Sequence, residues 1–522
     1  MSETSGVIPP LDEAEPVTAS AGARLASGRL LARNVGLNAL GWVLPMLLAL
    51  GAIPLLVRDL GEARYGVLSL AWTLVGYFSL FDLGLGRALT QLVSRALGSG
   101  RTAELPTLVW TALWLLLPLG LVGGAVIAAA APALVGHVLH VAPELQGETI
   151  TAFRLLGVAI PFAVATAGLR GVLEAQQAFG AVTALRAPLA IATFGAPLLV
   201  IPFAPTLPAT VGVLTLGRAV VWALHAWVCA RRFPPLRRPM RPHARHVREL
   251  LSIGGWMTVS NIVSPLMSSL DRFVVGAVLS MTAVAYYATA YEAVTRLWTV
   301  TSVLLPVLFP AIALVVERDP RHAGELVDRG MRACLLVAFP LAFLLGVFAP
   351  EWLRVWVGPQ FALHAATLAR GLAAAVLVNV AGQVAYTLIQ AAGRADITGK
   401  LHLAELLPYA GALWWLLHAL DTLGVVVAWG GRVAVDTAVL LVYAGLVLPE
   451  ARRAARRGAL LVGAGAPLVL ASAAMPSLGA RVVYAVVVLG TFAVVGWTRM
   501  LQPAEREQLL GLVRVGRRPA VA

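Results

Sequence analysis

Fourteen apolar, nearly uncharged runs follow one another along the chain, each long enough to cross a bilayer. A hydrocarbon core of about 30 Å takes roughly 20 helical residues to span. Inside it the backbone must satisfy its own hydrogen bonds, so each run is expected to be a helix. The runs fall near 34–57, 65–88, 106–131, 150–173, 183–203, 208–230, 250–278, 284–314, 332–350, 362–390, 398–418, 422–448, 459–475 and 481–498. The chain therefore reads as an all-α polytopic membrane protein with about fourteen transmembrane helices. With 59% hydrophobic and 13% charged residues in 522, it has no length left for a soluble domain. The longest polar stretches, 1–33, 231–249 and 499–522, are too short to bury a core.

Lysines and arginines exceed acids by 40 to 26, and Lys400 is the sole lysine. Such a charge would suit nucleic acid, but the arginines sit in short loops between spans, where they set membrane orientation, so no nucleic-acid partner is expected. With a cytoplasmic N-terminus, the inner loops hold twenty basic residues, among them seven from Arg231 to Arg248 and four from Arg452 to Arg457. The outer loops hold five: Arg58, Arg64, Arg154, Arg354 and Arg481. This bias predicts both termini in the cytoplasm. Acidic residues and prolines before the first run argue against a cleavable signal. Cys229 and Cys334, read as lying at cytoplasmic helix ends, suggest plain thiols rather than a disulfide or a metal site.

A loose internal repeat follows. Gly41-Trp42, Arg58 and Tyr65-Gly66 in the first two spans correspond to Gly255-Trp256, Asp271-Arg272 and Tyr286-Tyr287 in the seventh and eighth. It divides the chain into a cytoplasmic tail (1–33), a six-helix bundle (34–230), a basic linker (231–249), a second six-helix bundle (250–449), two added helices (450–498) and a C-terminal tail (499–522). Paired halves of this kind are common in transporters.

Polar residues inside the bilayer are costly and tend to face a bundle interior or a water-filled cavity. Span seven carries Ser260, Ser264, Ser268 and Asp271 on one face, with Arg272 beside it. Span eight carries Thr289, Glu292, Arg296 and Thr299; span ten carries Asn379, Gln383, Tyr386 and Gln390; span one opens with Asn34 and Asn38. These stripes are expected to line a central cavity in which arginine, always charged and fork-shaped, anchors an anionic group. Arg296 should lie about 15 Å below the outer surface, Arg272 shallower, and Arg87 near the inner end of span two. The competing reading is that Glu292 and Arg296 neutralise each other and that the Ser and Thr stripes are packing glue. Arg432 and Asp436 are read as such a packing pair.

No lysine stands in a Walker A frame, so no ATPase and no cofactor is expected. His137 with His140, and His243 with His246, lack a third ligand nearby, so no metal site is expected either. The longest outer loop, about 137–148, is too short for a glycosyl-transfer site.

The run Asp59-Leu-Gly-Glu-Ala-Arg-Tyr65-Gly66-Val-Leu-Ser69, followed by Gly76-Tyr-Phe-Ser-Leu-Phe-Asp82-Leu-Gly84-Leu-Gly86, resembles the first hairpin of the polysaccharide-transporter flippases. These belong to the multidrug/oligosaccharidyl-lipid/polysaccharide exporter (MATE-like) superfamily. The resemblance continues at Asp271-Arg272, Leu308-Phe309-Pro310, Trp352 to Phe361 and Gln390 to Arg394, covering about 33–449. It implies two six-helix bundles plus two helices, alternating access, and no enzymatic activity. The implied substrate is an oligosaccharide on undecaprenyl diphosphate, flipped from the inner to the outer leaflet of a bacterial cytoplasmic membrane for surface polysaccharide assembly. Arg296 and Arg272 best match the diphosphate-holding positions, with Arg87 a third, and Asp271 and Glu292 are candidate ion carriers. Membrane lipids are implied partners; a polysaccharide polymerase and chain-length machinery are candidate ones. A drug antiporter of the same superfamily, a lipid II flippase and a membrane polymerase remain as alternatives.

Overall fold

The structure, a computed structural model, describes residues 45, 47–76, 85–98, 101–176, 178–251, 270–503 and 505–507. Nearly all of these are helical, and none of them forms a strand. Eleven helices among them are long and apolar enough to cross a membrane. They correspond to spans three to six and eight to fourteen; spans one, two and seven each run into residues outside the description.

The first half comprises α1 (47–60), α2 (Glu62–Gly76), α3 (Leu85–Gly98), α4 (Leu105–Ala133), α5 (Pro143–Ala175), α6 (Phe179–Ala190), α7 (Ala196–Val200) and α8 (Leu207–Arg232). The second comprises α9 (244–251), α10 (270–278), α11 (Met281–Thr295), α12 (Trp298–Val315), α13 (Pro320–Val347), α14 (Ala349–Trp356), α15 (Pro359–Ala391), α16 (Ala395–Leu420) and α17 (Thr422–Val447). Then come α18 (Arg452–Ala471) and α19 (Leu478–Val495). Helix starts follow local chemistry. Hydroxyls of Thr206, Ser280 and Ser477 and the carboxylate of Asp319 accept first-turn N–H groups that would otherwise lack partners. Gly61, at φ +81°, makes the tight reversal between α1 and α2.

In the first half α5 packs against α3, α4 and α8; in the second α15 packs against α11, α13, α14, α17 and α18. The buried side of α15 is rich in alanine, which lets neighbouring backbones approach closely. The basic linker folds back on the start of α4: Leu236 is buried, the Trp110 and Trp114 indoles donate to the Leu236 and Met240 carbonyls, and Thr111 accepts from the His243 N–H.

Two expectations change. Span eight is continuous but tightens between α11 and α12: Arg296 and Leu297 keep helical backbone angles, and the Leu297 and Thr299 N–H groups bond three residues back, to Val294 and Arg296. Span nine starts at Pro320 rather than near 332, because Asp319 caps it, proline fits its first turn and the following stretch is amphipathic. Arg321, Arg329 and Arg332 are therefore helical, and Cys334 lies within α13 rather than at a helix end. Cys229 and Cys334 are both buried and free.

Candidate functional site

The two halves meet where α2 runs beside α11. A side chain at Gly66 is impossible there, since its Cβ would lie 1.9 Å from the Met281 carbonyl oxygen. Hydrogen bonds join the halves at several points. Tyr286 donates to Glu62 at 2.7 Å, the His140 N–H to the Gly276 carbonyl at 2.8 Å, the Trp356 indole to the Leu50 carbonyl at 2.6 Å, and Arg272 to the Thr73 hydroxyl at 2.8 Å. The first two lie at the end that carries the α1–α2, α4–α5 and α10–α11 turns, while Leu50 stands eleven residues along α1 from Gly61. Thr73 lies eleven residues along α2 from Glu62, or about 16 Å deeper.

At that depth Arg272, Glu292 and Arg296 come together. Glu292 accepts from Arg272 at 2.9 Å and from Arg296 at 2.8 Å, one arginine on each carboxylate oxygen. Arg272 also lies 5.0 Å over the Tyr291 ring, a cation–π contact, and its side chain is 7% exposed. Asp271 is fully buried; one oxygen accepts from the Arg272 N–H and the other from the Tyr287 hydroxyl. With both acids ionised, two arginines and two carboxylates sum to zero charge. The exposed edge belongs to Arg296 and Glu292, whose side chains are 31% and 29% exposed. Counted from Met281, Arg296 is about 22 Å along the helix, deeper than the expected 15 Å, and the earlier start of α11 accounts for about 4.5 Å of that.

The remaining expected site residues divide sharply. Gln383 and Gln390 line a cavity of about 360 Å³ together with Thr301, Ser302 and Phe309 of α12 and Tyr386 of α15. Asn379 accepts from Gln383, and Gln390 donates to Thr398. Thr289, expected to line the cavity, is fully buried beside Tyr65 in the α2–α11 seam. Arg272, expected to hold the anionic group, has its guanidinium enclosed by Thr73, Glu292 and Tyr291 in this conformation. Thr299 belongs to α12, just past the tightened turn, and its N–H bonds the Arg296 carbonyl. Arg87 lies in the first turn of α3, and its side chain is outside the description; Asn38, Ser260, Ser264 and Ser268 lie outside the described residues altogether.

Sequence reading missed a second buried cluster. Glu405 of α16 is 8% exposed, and neither carboxylate oxygen has a hydrogen-bond partner. Asp436 and Arg432 of α17 act on it electrostatically. His402 lies 3.9 Å from Asp436, beyond hydrogen-bond reach, and Arg432 lies 5.3 Å over the Tyr409 ring with its Nε unpartnered. The signal was available: Glu405 is an acid in the middle of span eleven. Arg432 and Asp436, read as a packing pair, belong to this larger group.

An all-helical chain of paired bundles with charged side chains at mid-depth defines a multi-pass membrane transporter. Two solved structures agree on that fold. A multidrug resistance MATE transporter of the MOP superfamily in an inward-facing conformation superposes with TM-score 0.61 at 16% identity, covering 81% of this chain and 98% of its own. An outward-facing MATE transporter gives 0.56 at 15% identity, covering 84% and 100%. The chain belongs to the family described as polysaccharide biosynthesis protein, which it matches over residues 55–366. A Shigella flexneri relative named "Putative O-antigen transporter" is 25% identical over 413 residues, covering 78% of this chain and 96% of its own.

Proposed function

We propose that the protein flips a polyprenyl-diphosphate-linked oligosaccharide from the inner to the outer leaflet of the bacterial cytoplasmic membrane, by alternating access, for surface polysaccharide assembly. Family membership and the relative named for O-antigen transport support the substrate class. The observation that carries the reading to particular residues is Arg296, a partly exposed arginine at a tightened turn within a membrane helix. A short stretch of such tighter turns inside a long helix often marks a functional hinge.

In this reading the loop arginines assign the bonded end of the α2–α11 seam to the outside and both termini to the cytoplasm. The conformation is then inward-facing, with the cavity open to substrate from the inner leaflet. Glu292 and the diphosphate compete for Arg296. An entering diphosphate draws Arg296 off Glu292, Glu292 then rests on Arg272 alone, and the pull on the Arg272–Thr73 bond changes as the seam opens. This couples occupancy to the joint between the halves.

For ion coupling the reading moves from Asp271 and Glu292, whose oxygens are engaged, to Glu405 and Asp436. A carboxylate in the membrane without partners is costly as a bare ion, so a proton or a cation has a place there.

The test is gene deletion complemented with wild type or with Arg296→Gln, reading surface polysaccharide and the leaflet that holds the lipid-linked oligosaccharide. Complete repeat units trapped in the inner leaflet of the variant are expected. Single units collecting in the outer leaflet would point to polymerisation instead, and an unchanged surface polysaccharide would reject the reading.

A further inference from the structure

The added helices carry a feature that the transport reading does not use. At the start of α18 and just beyond the end of α19, Arg453, Arg456 and Arg499 line a cavity of about 660 Å³ whose wall includes Leu460 and Val495. Two more arginines border it. Arg457 is clamped by Asp328, one bond at 2.6 Å, and Arg452 donates to the Gly445 carbonyl at 3.0 Å. Arg453, Arg456 and Arg499 have no ion-pair partner among the described residues. Arg453 and Arg456 also stand in the first turns of α18, at the positive end of its dipole, which disfavours them unless an anion is near.

Leu461 and Val495 are shared with a second, apolar cavity of about 380 Å³, walled by Phe339, Leu377, Leu468 and Val488. From Arg456 to Leu468 is twelve residues of α18, or about 18 Å. One leaflet of hydrocarbon is about 15 Å deep. A cationic mouth at a helix end thus opens into an apolar slot about one leaflet long.

We propose that the α18–α19 cleft binds an anionic phospholipid of the bilayer, with its phosphate among Arg453, Arg456 and Arg499 and an acyl chain in the slot beneath. Basic pockets between transmembrane helices suit such headgroups. A zwitterionic lipid brings its own cation into the mouth, and a free phosphate leaves the slot empty. The loop-charge pattern assigns this mouth to the cytoplasmic leaflet.

The experiment is native mass spectrometry and lipid titration of the purified full-length protein with phosphatidylglycerol, cardiolipin and phosphatidylethanolamine. Preferential binding of the two anionic lipids is expected. The triple variant Arg453→Gln, Arg456→Gln, Arg499→Gln should lower their affinity by roughly 100-fold. An equal charge change in the linker (Arg237→Gln, Arg238→Gln, Arg241→Gln) should leave it within about threefold. On the wild-type protein, dihexanoyl phosphatidylglycerol should bind far more weakly than the long-chain lipid. The proposal is overturned if the linker variant loses as much affinity, if the short-chain lipid or inorganic phosphate competes equally well, or if polyprenyl diphosphate displaces the phospholipid one for one.

Discussion

Two buried polar clusters lie in the second half of the molecule, and they are built on opposite principles. Asp271, Arg272, Glu292 and Arg296 are partnered: each carboxylate oxygen accepts at least one bond, and Arg272 reaches across the seam to Thr73. Around Glu405, His402, Arg432 and Asp436, several buried polar atoms have no hydrogen-bond partner at all. A satisfied buried network holds one arrangement firmly, whereas an unsatisfied one carries a standing desolvation cost that a proton, an ion or a shift of helices would relieve. The first cluster is suited to joining the halves and the second to responding.

The most severe way to break this comparison is Gly66→Val. The backbone oxygen of Met281 stands where the new Cβ must go, so the α2–α11 seam cannot close. Disulfide trapping between cysteines placed at Glu62 and Tyr286 should fall to background and surface polysaccharide should be lost; normal trapping would show the seam to be dispensable. Next is Arg272→Met. Removing one member of a buried ion pair costs about 3–5 kcal/mol, which should lower the melting temperature in detergent, while Arg296→Gln at the exposed edge should cost about 1 kcal/mol or less and act on transport instead. Equal melting of the two variants would erase the distinction between a joint and a binding edge.

Glu405→Gln sharpens the other side. Because the carboxylate has no hydrogen-bond partner to lose, folding stability should hold or rise, while transport should lose its dependence on the ion gradient. A clear loss of stability would show that the second cluster is structural too. The smallest effect concerns a clamp outside the spans. Glu505 accepts from Arg332 at 2.8 Å. Burial raises its carboxyl, but the Gln502 N–H and the charges of Arg332 and Arg329 outweigh that and hold it below the ordinary range. A lowered carboxyl stabilises above its unfolded value, near 4.3, and loses that contribution as pH falls through its folded value. Hydrogen exchange at residues 501–503 should therefore quicken only in acid, and Glu505→Gln should remove the dependence.

Much of this was legible in the residues. Apolar runs separated by arginines imposed membrane helices, since nothing else satisfies a backbone in hydrocarbon. Charged residues inside those runs marked Asp271, Arg272, Glu292 and Arg296 as important, because burying them uncompensated is so unfavourable. Helix-start signals such as Asp319-Pro320 were also present, though masked by the apolar criterion used to place span nine.

Periodicity orders a residue on its own helix, but which helix stands opposite depends on how the bundles pack. Thr289 and Glu292 are three residues apart, yet one is sealed against α2 and the other faces two arginines. Arg272 and Arg296 looked alike as cations, and only the closing of Gly66 onto Met281 enclosed the first while leaving the second open. The sequence by itself determined that this chain is a bundle of membrane helices with charge at mid-depth. The Glu292–Arg296 pair follows from helical spacing, but which cation is enclosed and which carboxylates lack partners depends on how separate helices pack, as where Arg272 meets Thr73, 199 positions away.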